Sequence, residues 1–335
     1  MSDAEMSLTD SKGRIAKLPV LPLVGIGMAL YNEEKHLRGT LDSLLAQDYA
    51  NFELRISDNA SEDATEAICR EYIARDCRIQ YHRNESNLGA LVNFSQVFRW
   101  SKGKYFMWAA GHDLYAPAFI GKCVEALERE PQAVLSAAHP KFIDEKGQST
   151  GTESLIIDTR GRGVFSRFNV AVWGQSSNYA IYGMIRHAAL ADCRPSRPVA
   201  RPDAVLLSEL ALLGPFIVLP DELYFPREKW THLTPAEYKL RMEAMFRDLL
   251  PSNARRPKSF VEWHHTIELA RGALHSRVPI WMKSALAANA LLTYSVRSAV
   301  DLGVGYGSLP AFVRLPAKWI FGRVLGLATA KARRQ

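Results

Sequence analysis

Between residues 22 and 140, short apolar runs alternate with segments whose apolar residues recur every three to four positions. Leu23–Ala29 (LVGIGMA) is a continuous apolar run, the pattern of a strand buried on both faces. Leu37, Leu41, Leu44 and Leu45 then fall at i, i+4, i+7 and i+8, one face of a helix. Phe52–Ser57 alternates apolar and polar residues as a strand does, and Asp63-x-x-Glu66 has the form of a capping box opening a helix that turns Ile68, Tyr72 and Ile73 inward. A strand over Ile79–His82, a helix over about 91–100 and a strand over Tyr105–Ala110 follow. Ile120, Cys123, Val124 and Leu127 then sit at i, i+3, i+4 and i+7 of another helix. Repeated β-α units of this length predict an α/β fold, a Rossmann-like, mostly parallel sheet with helices on both faces.

In such sheets ligands bind at the carboxyl ends of the strands, where loops leave for the helices. The polar clusters fall there: Tyr31-Asn32-Glu33-Glu34 after the first strand, Asp58-Asn59-Ala60-Ser61 after the second, Asn84 to Gly89 after the third, and Gly111-His112-Asp113 after the fourth. Any one of them also reads as an ordinary helix cap, because Asn, Asp and Ser favour that position. Four at one edge of one sheet read as a site.

Composition adds limits. The apolar fraction of 47% and charged fraction of 23% are those of a globular chain. Cys69, Cys77, Cys123 and Cys193 show no metal or disulfide spacing, so a reduced, cytoplasmic protein is expected. The apolar stretch near the N-terminus is short, broken by Pro22, and preceded by acidic Asp3 and Glu5, so neither a signal peptide nor an anchor is expected. A net charge of +7 points to anionic partners.

The same loops resemble glycosyltransferase family 2, inverting enzymes with the GT-A fold. VGIGMALYNEEKHL is similar to that family's opening strand and Tyr-Asn-Glu-Glu turn, and SDNASEDATEAI to its Ser-Asp-Asn-x-Ser-x-Asp-x-Thr segment. RNESNLGALVNF is similar to its Asn-x-Gly loop, and YFMWAAGHDLYAPAFI to the strand carrying its metal-binding Asp-x-Asp motif. YGMIRHAAL and PDAVLLSELALLG resemble its acceptor-side segments, so the likeness runs from about Leu21 to Pro226.

The resemblance implies a site residue by residue. Ala29, Tyr31, Asn32, Glu33 and Asp58 would hold the base and ribose of a nucleotide, with Asn87 and Gly89 lining it from the other side and Asn93 beyond them. A carboxylate suits a base or a ribose hydroxyl because it accepts hydrogen bonds strongly. Asp113 takes the last position of the metal motif, and His112 and Gly111 stand where the family usually has carboxylates. Asp113 and His112 would hold a divalent cation, Mn²⁺ or Mg²⁺, on the diphosphate; imidazole suits Mn²⁺ better, and a charged His112 against the phosphates is a second option. Asp203, ahead of Leu-x-Glu-Leu-Ala-Leu-x-Gly, is the expected general base, with a helix N-cap as its other reading. Arg227 is a further candidate, for a phosphate contact.

The implied activity moves a sugar from a nucleoside-diphosphate donor, most often a UDP-sugar, to a hydroxyl of a glycan or lipid-linked acceptor. The alternative left open by Gly111 and His112 is a relative that binds nucleotide sugar or a partner enzyme without transfer. Along the chain we expect a tail over 1–20, the catalytic domain over 21–230 and a basic helical region over 231–335. Trp263-His264-His265-Thr266-Ile267-Glu268 reads as an exposed helix face rather than a metal site, and the Gly-, Ser- and Thr-rich 145–175 stretch as a loop near the acceptor. Leu302 to Gln335 holds six basic residues, no acidic one, and interleaved Phe312, Trp319, Ile320 and Phe321. That pattern suits the anionic inner face of the cytoplasmic membrane, or else a helix packed on this domain or on a sister subunit in an oligomer. No nucleic-acid module accompanies the charge.

Overall fold

The structure, a computed structural model, describes residues 21–154, 156–173, 178–194, 199, 201–228 and 258–301, together with 7–9, 15–17, 234, 237 and 240. The C-terminal segment from Leu302 and the expected boundary near residue 230 lie outside the described residues.

The strands predicted from apolar runs are present: β3 (Val24–Leu30), β4 (Phe52–Asp58), β5 (Ile79–Arg83) and β6 (Tyr105–Trp108). They lie side by side in the order β5-β4-β3-β6, all parallel, with Leu30 directly opposite Asp58. Helices α1 (Leu37–Leu45), α2 (Thr65–Ile73), α3 (Ala90–Trp100) and α4 (Phe119–Arg129) connect and cover them. Beyond β6 the sheet turns mixed. β10 (Met184–Arg186) inserts antiparallel between β6 and β8 (Leu135–Ile143), β11 (Phe216–Phe225) runs parallel to β8, and β7 (Leu114–Tyr115) pairs antiparallel with β11 at the edge. A separate ribbon pairs β1 (Ser7–Thr9) with β2 (Ile15–Lys17).

Period-2 alternation of side chains sorts the strands onto two cores. Tyr105 and Met107 face one cluster with Leu37, Leu41, Leu44, Ile68 and Phe119; Phe106 and Trp108 face the other with Val97, Phe98, Leu206 and Leu210. Gly27 lets α3 approach β3, since a Cβ there would stand 2.7 Å from Val97 Cγ2. Both faces are therefore covered, which is why β3 reads as unbroken apolar sequence.

Three local expectations change. The capping box does not form: α2 begins at Thr65, the Asp63 carboxylate accepts the Thr65 and Glu34 backbone N–H groups at 2.9 and 3.0 Å, and Glu66 pairs with Arg70 and Arg83. Cross-loop bonding outbids local capping here. The 145–175 stretch is not a plain loop, because β9 (Ser149–Glu153) pairs with β8 and α5 (Val164–Trp173) packs against α7 (Pro202–Leu213). The His-His segment lies in α8 (Lys258–His275), whose His265, Thr266 and Glu268 are buried because the helix packs on α7 and on α9 (Ile280–Asp301). Among the described residues no helix is long and apolar enough to cross a membrane.

Candidate active site

The carboxyl ends of β3 and β4 are zipped together by their own loops. The Asn32 N–H donates to Ser61 Oγ (3.0 Å), the Glu33 N–H to Thr65 Oγ1 (2.9 Å), and the Glu62 N–H returns to Asn32 Oδ1 (2.9 Å). Asn32 and Ala60 both adopt left-handed backbone, φ 53° and 61°. For Ala60 that conformation costs on the order of 1 kcal/mol, and it persists because the surrounding bonds over-determine the turn.

Asp58 is the buried centre of this assembly, fully enclosed. Its Oδ1 accepts the Ser61 N–H (2.9 Å) and hydroxyl (2.5 Å), its Oδ2 accepts the Tyr81 hydroxyl (2.7 Å), and Arg83 Nε lies 3.7 Å away. Burial first, then Asp58, drives the Tyr81 phenol far up, so Tyr81 stays a donor. Asn93, on the first turn of α3, is also buried; its amide donates to the carbonyls of Ser57 (3.0 Å) and Leu30 (3.3 Å), tying two strand ends to one helix. Asn59 accepts the Leu88 N–H at 2.9 Å and donates to Asn87 Oδ1 at 2.6 Å, which fixes the Asn87-Leu88-Gly89 turn over the same edge. Gly89 carries φ 84°, a conformation glycine adopts without a Cβ penalty. Tyr31 is exposed and Ala29 half-buried beside these loops.

The fourth loop joins through Glu33. Both oxygens of its carboxylate stand 3.2 Å from His112 Nδ1, and His112 Nε2 stands 3.7 Å from Asp113 Oδ1. Gly111 leaves the room for this contact: a Cβ there would lie 3.1 Å from Glu33 Cγ and 2.5 Å from Leu30 Cδ2. Asp113 is buried, accepting the Tyr224 hydroxyl on Oδ2 (2.6 Å) and the Arg227 N–H on Oδ1 (2.9 Å). Arg227 also donates from Nε to the His112 carbonyl (3.0 Å) and from its guanidinium to the Asp144 carbonyl (2.5 Å). Its contacts hold the loop backbone, whatever it offers a phosphate.

The donor set defines how a cation would fit. A carboxylate facing Nδ1 favours the tautomer that carries its proton there, leaving the Nε2 lone pair beside Asp113. Each carboxylate oxygen keeps a second lone pair after one hydrogen bond. Among the described residues no group of three His, Cys, Asp or Glu side chains is arranged to hold a metal alone. His112 and Asp113 therefore suit an open site completed by ligand oxygens and water.

Asp203 opens α7 just after Arg201, whose backbone is left-handed at φ 54°. It is not the N-cap, which is Arg201; it is the second residue of the helix, and its Oδ1 accepts the N–H of the third, Ala204, at 2.9 Å. Burial pushes its carboxyl above the ordinary value, opposed by that N–H, by the Asn178 side chain and by the Arg201 charge. Tyr182 shows where it lies. Burial first, then the charges of Asp113, Asp203 and, less, Glu33 raise this phenol, so all three carboxylates lie within electrostatic range of one ring. Tyr182 belongs to an aromatic floor with Tyr179, Tyr224 and Tyr115, whose centroids are 5.4 to 6.4 Å apart in successive pairs.

A path of contacts and one chain step thus runs from Asp58 through Ser61, Asn32, Glu33 and His112 to Asp113, and Asp113 and Asp203 both act electrostatically on Tyr182. The family model described as Glycosyl transferase family 2 matches residues 26–191, which hold every one of these residues except Asp203. Residues 26–191 form a glycosyl transferase family 2 domain. An uncharacterized glycosyltransferase of Rickettsia typhi is 31% identical over 129 residues, 38% of this chain and 39% of that protein. The chain therefore matches well under half the length of that curated relative. Residues 1–349 of Staphylococcus aureus TarS in complex with UDP-GlcNAc superpose with a TM-score of 0.60 at 15% identity, covering 91% of this chain and 80% of that one. Mannosyltransferase PcManGT from Pyrobaculum calidifontis, in complex with GDP-Man and Mn²⁺, gives 0.51 at 16% identity over 94% and 85%. At these identities the likeness is one of fold, the GT-A arrangement.

Sequence reasoning missed the residues that hold the site in shape: Asn59, Ser61, Thr65, Asn84, Tyr81, Tyr182 and Tyr224. The Asn and Ser residues lay inside polar clusters already in view. The tyrosines carried no signal, because nothing in the spacing of Tyr182 and Tyr224 says that Tyr224 donates to Asp113 or that Tyr182 packs beside Tyr224.

Proposed function

We propose that this protein is an inverting glycosyltransferase that moves a sugar from a nucleoside-diphosphate donor to a hydroxyl of a glycan or lipid-linked acceptor. The observation that carries the reading is the Glu33–His112–Asp113 cluster at the rim where β3 and β6 deliver their loops, with Asp203 within electrostatic range of the same Tyr182 ring. A UDP-sugar is the favoured donor; the TarS complex holds UDP-GlcNAc, whereas the PcManGT complex holds GDP-Man.

In this reading Ala29, Tyr31, Asn32, Asn87 and Gly89 line the nucleoside. Asp58 and Asn93, enclosed by protein partners, set the shape of that pocket from beneath. The Asp203 carboxylate accepts the proton of the acceptor hydroxyl as its oxygen attacks the anomeric carbon. The bond from that carbon to the diphosphate oxygen breaks, its electron pair leaves with the nucleoside diphosphate, and configuration inverts. A divalent ion held by His112 and Asp113 would supply charge neutralisation on the departing diphosphate. Glu33 orients His112 for that task, and the Tyr224 hydroxyl and Arg227 N–H fix Asp113.

The test is release of nucleoside diphosphate by purified protein given Mn²⁺, an acceptor pool and a panel of UDP- and GDP-sugars. Turnover with at least one donor is expected. Tight, metal-independent nucleotide binding without turnover on any donor would replace this reading with that of a binding protein.

A further inference from the structure

We propose that the tip of the α8–α9 hairpin is a docking surface for an anionic lipid bilayer. The hairpin is held from its inner side: Leu269, Ala273, Leu286 and Ala290 are buried with Phe168 of α5 and Val205 of α7. Its tip is the reverse. Ile280 and Trp281, adjacent at the start of α9, are 83% and 68% exposed, and Leu274 at the end of α8 is 48% exposed. Two neighbouring large apolar side chains at the far end of an anchored hairpin contribute nothing to the core. Exposed Trp beside aliphatic residues is the composition of an interfacial anchor, with the indole N–H left for headgroups or water.

Charge selects the occupant. From Ser276 to Gln335 there are nine Lys or Arg and one acidic residue, Asp301, an excess of eight. The whole chain has a net charge of +7, so everything before Ser276 sums to −1. The chain's net positive charge therefore resides in the tip, the helix it opens and the segment that follows. At the tip itself Arg277 has an 82% exposed side chain and Lys283 stands two residues after Trp281. Among the described residues Asp192 pairs with Arg277 at 3.1 Å. No Asp or Glu occurs between Arg271 and Val300. Apolar tip and basic flank together fit a surface with hydrocarbon below and phosphate above, and each basic residue adds attraction to anionic lipid. Since no described helix is long and apolar enough to span, the hairpin would lie on the bilayer.

The experiment uses the full chain with vesicles of phosphatidylglycerol in phosphatidylcholine, and with phosphatidylcholine alone. The parent is expected to partition onto the anionic vesicles and only weakly onto the zwitterionic ones. Ile280→Ser/Trp281→Ser, two exposed changes, should lower anionic-vesicle partitioning at least tenfold while leaving the melting temperature and nucleotide binding unchanged. The difference in fluorescence between parent and Trp281→Phe should show Trp281 quenched by brominated lipid. A smaller loss in the double variant overturns the proposal, as does failure of the parent to bind. So does a Trp281 signal already shielded from aqueous acrylamide without vesicles, which would mean that the chain's own end or a second copy covers the tip. The proposal stands apart from the transfer reaction, and each can fail without the other.

Discussion

Asp203→Asn separates catalysis from folding better than any other single change. Asparagine keeps the size and the acceptor oxygen that receives the Ala204 N–H at 2.9 Å, so the local structure should survive. What disappears is a carboxylate able to take a proton. General-base catalysis is worth about 10² to 10⁴ in rate, or about 3–5 kcal/mol of activation free energy at ~1.4 kcal/mol per decade. Stability should move the other way or not at all. Burial raises this carboxyl above its unfolded value despite the Ala204 N–H, the Arg201 charge and a helix N-terminus that favours anions by about 0.3–1 kcal/mol. A raised acid binds its proton more tightly in the folded state, so this group's contribution to stability falls as pH rises through that window and its ionised form is a cost at pH 7. Asp203→Asn should therefore melt at pH 7 no lower than the parent, while nucleoside diphosphate release drops at least a hundredfold. The acidic limb of kcat/KM in the parent should lie above ~3.9, the value of an ordinary Asp. Arg201→Gln, which removes an opposing charge, should move that limb further up. A variant keeping a tenth of parental turnover, or one that melts several degrees lower at pH 7, would refute the assignment.

Three further outcomes test the rest of the site. His112→Asp should shift metal preference from Mn²⁺ toward Mg²⁺ by exchanging imidazole for oxygen, read as the ratio of turnover with the two ions and as Mn²⁺ affinity by calorimetry in the presence of UDP. Gly111→Asp, which restores a carboxylate the family usually has there, should lower stability by about 1–3 kcal/mol in chemical denaturation, because its Cβ would meet Leu30 Cδ2 at 2.5 Å and crowd Glu33. Asp58→Asn should cost about 1–3 kcal/mol in the same assay by setting an amide donor against the Ser61 or Tyr81 hydroxyl, with weakened nucleotide binding as a consequence of the altered loop.

How far the sequence spoke depended on whether a feature was periodic. Strands β3 to β6 and helices α1 to α4 were legible because burial on both faces of a parallel sheet forces long apolar runs and 3.6-residue stripes, and their ends are off by a residue or two. The 145–175 stretch was not, because β9 is a two-strand edge pairing carried by Ser, Thr and Gly, residues whose single-chain signal is that of a loop. Asp63 and Glu66 show the same limit in miniature: the spacing of a capping box is local, but Glu34 from another loop competes for Asp63 and Arg83 for Glu66. Position 111 shows it at the site. A missing carboxylate in the motif looked like a loss, yet the space it leaves is filled by Glu33, seventy-eight residues earlier in the chain, which reaches His112 from the neighbouring strand. A contact that a glycine admits from another loop is invisible to any reading of the motif alone. It becomes visible only when Gly27 of β3 is seen to pair with Trp108 of β6, so that the loops carrying Glu33 and His112 leave the same edge. The polar character of this site is thus a property of the sheet's register, and a one-residue slip of β3 against β4 would dismantle it while leaving every motif in the sequence intact.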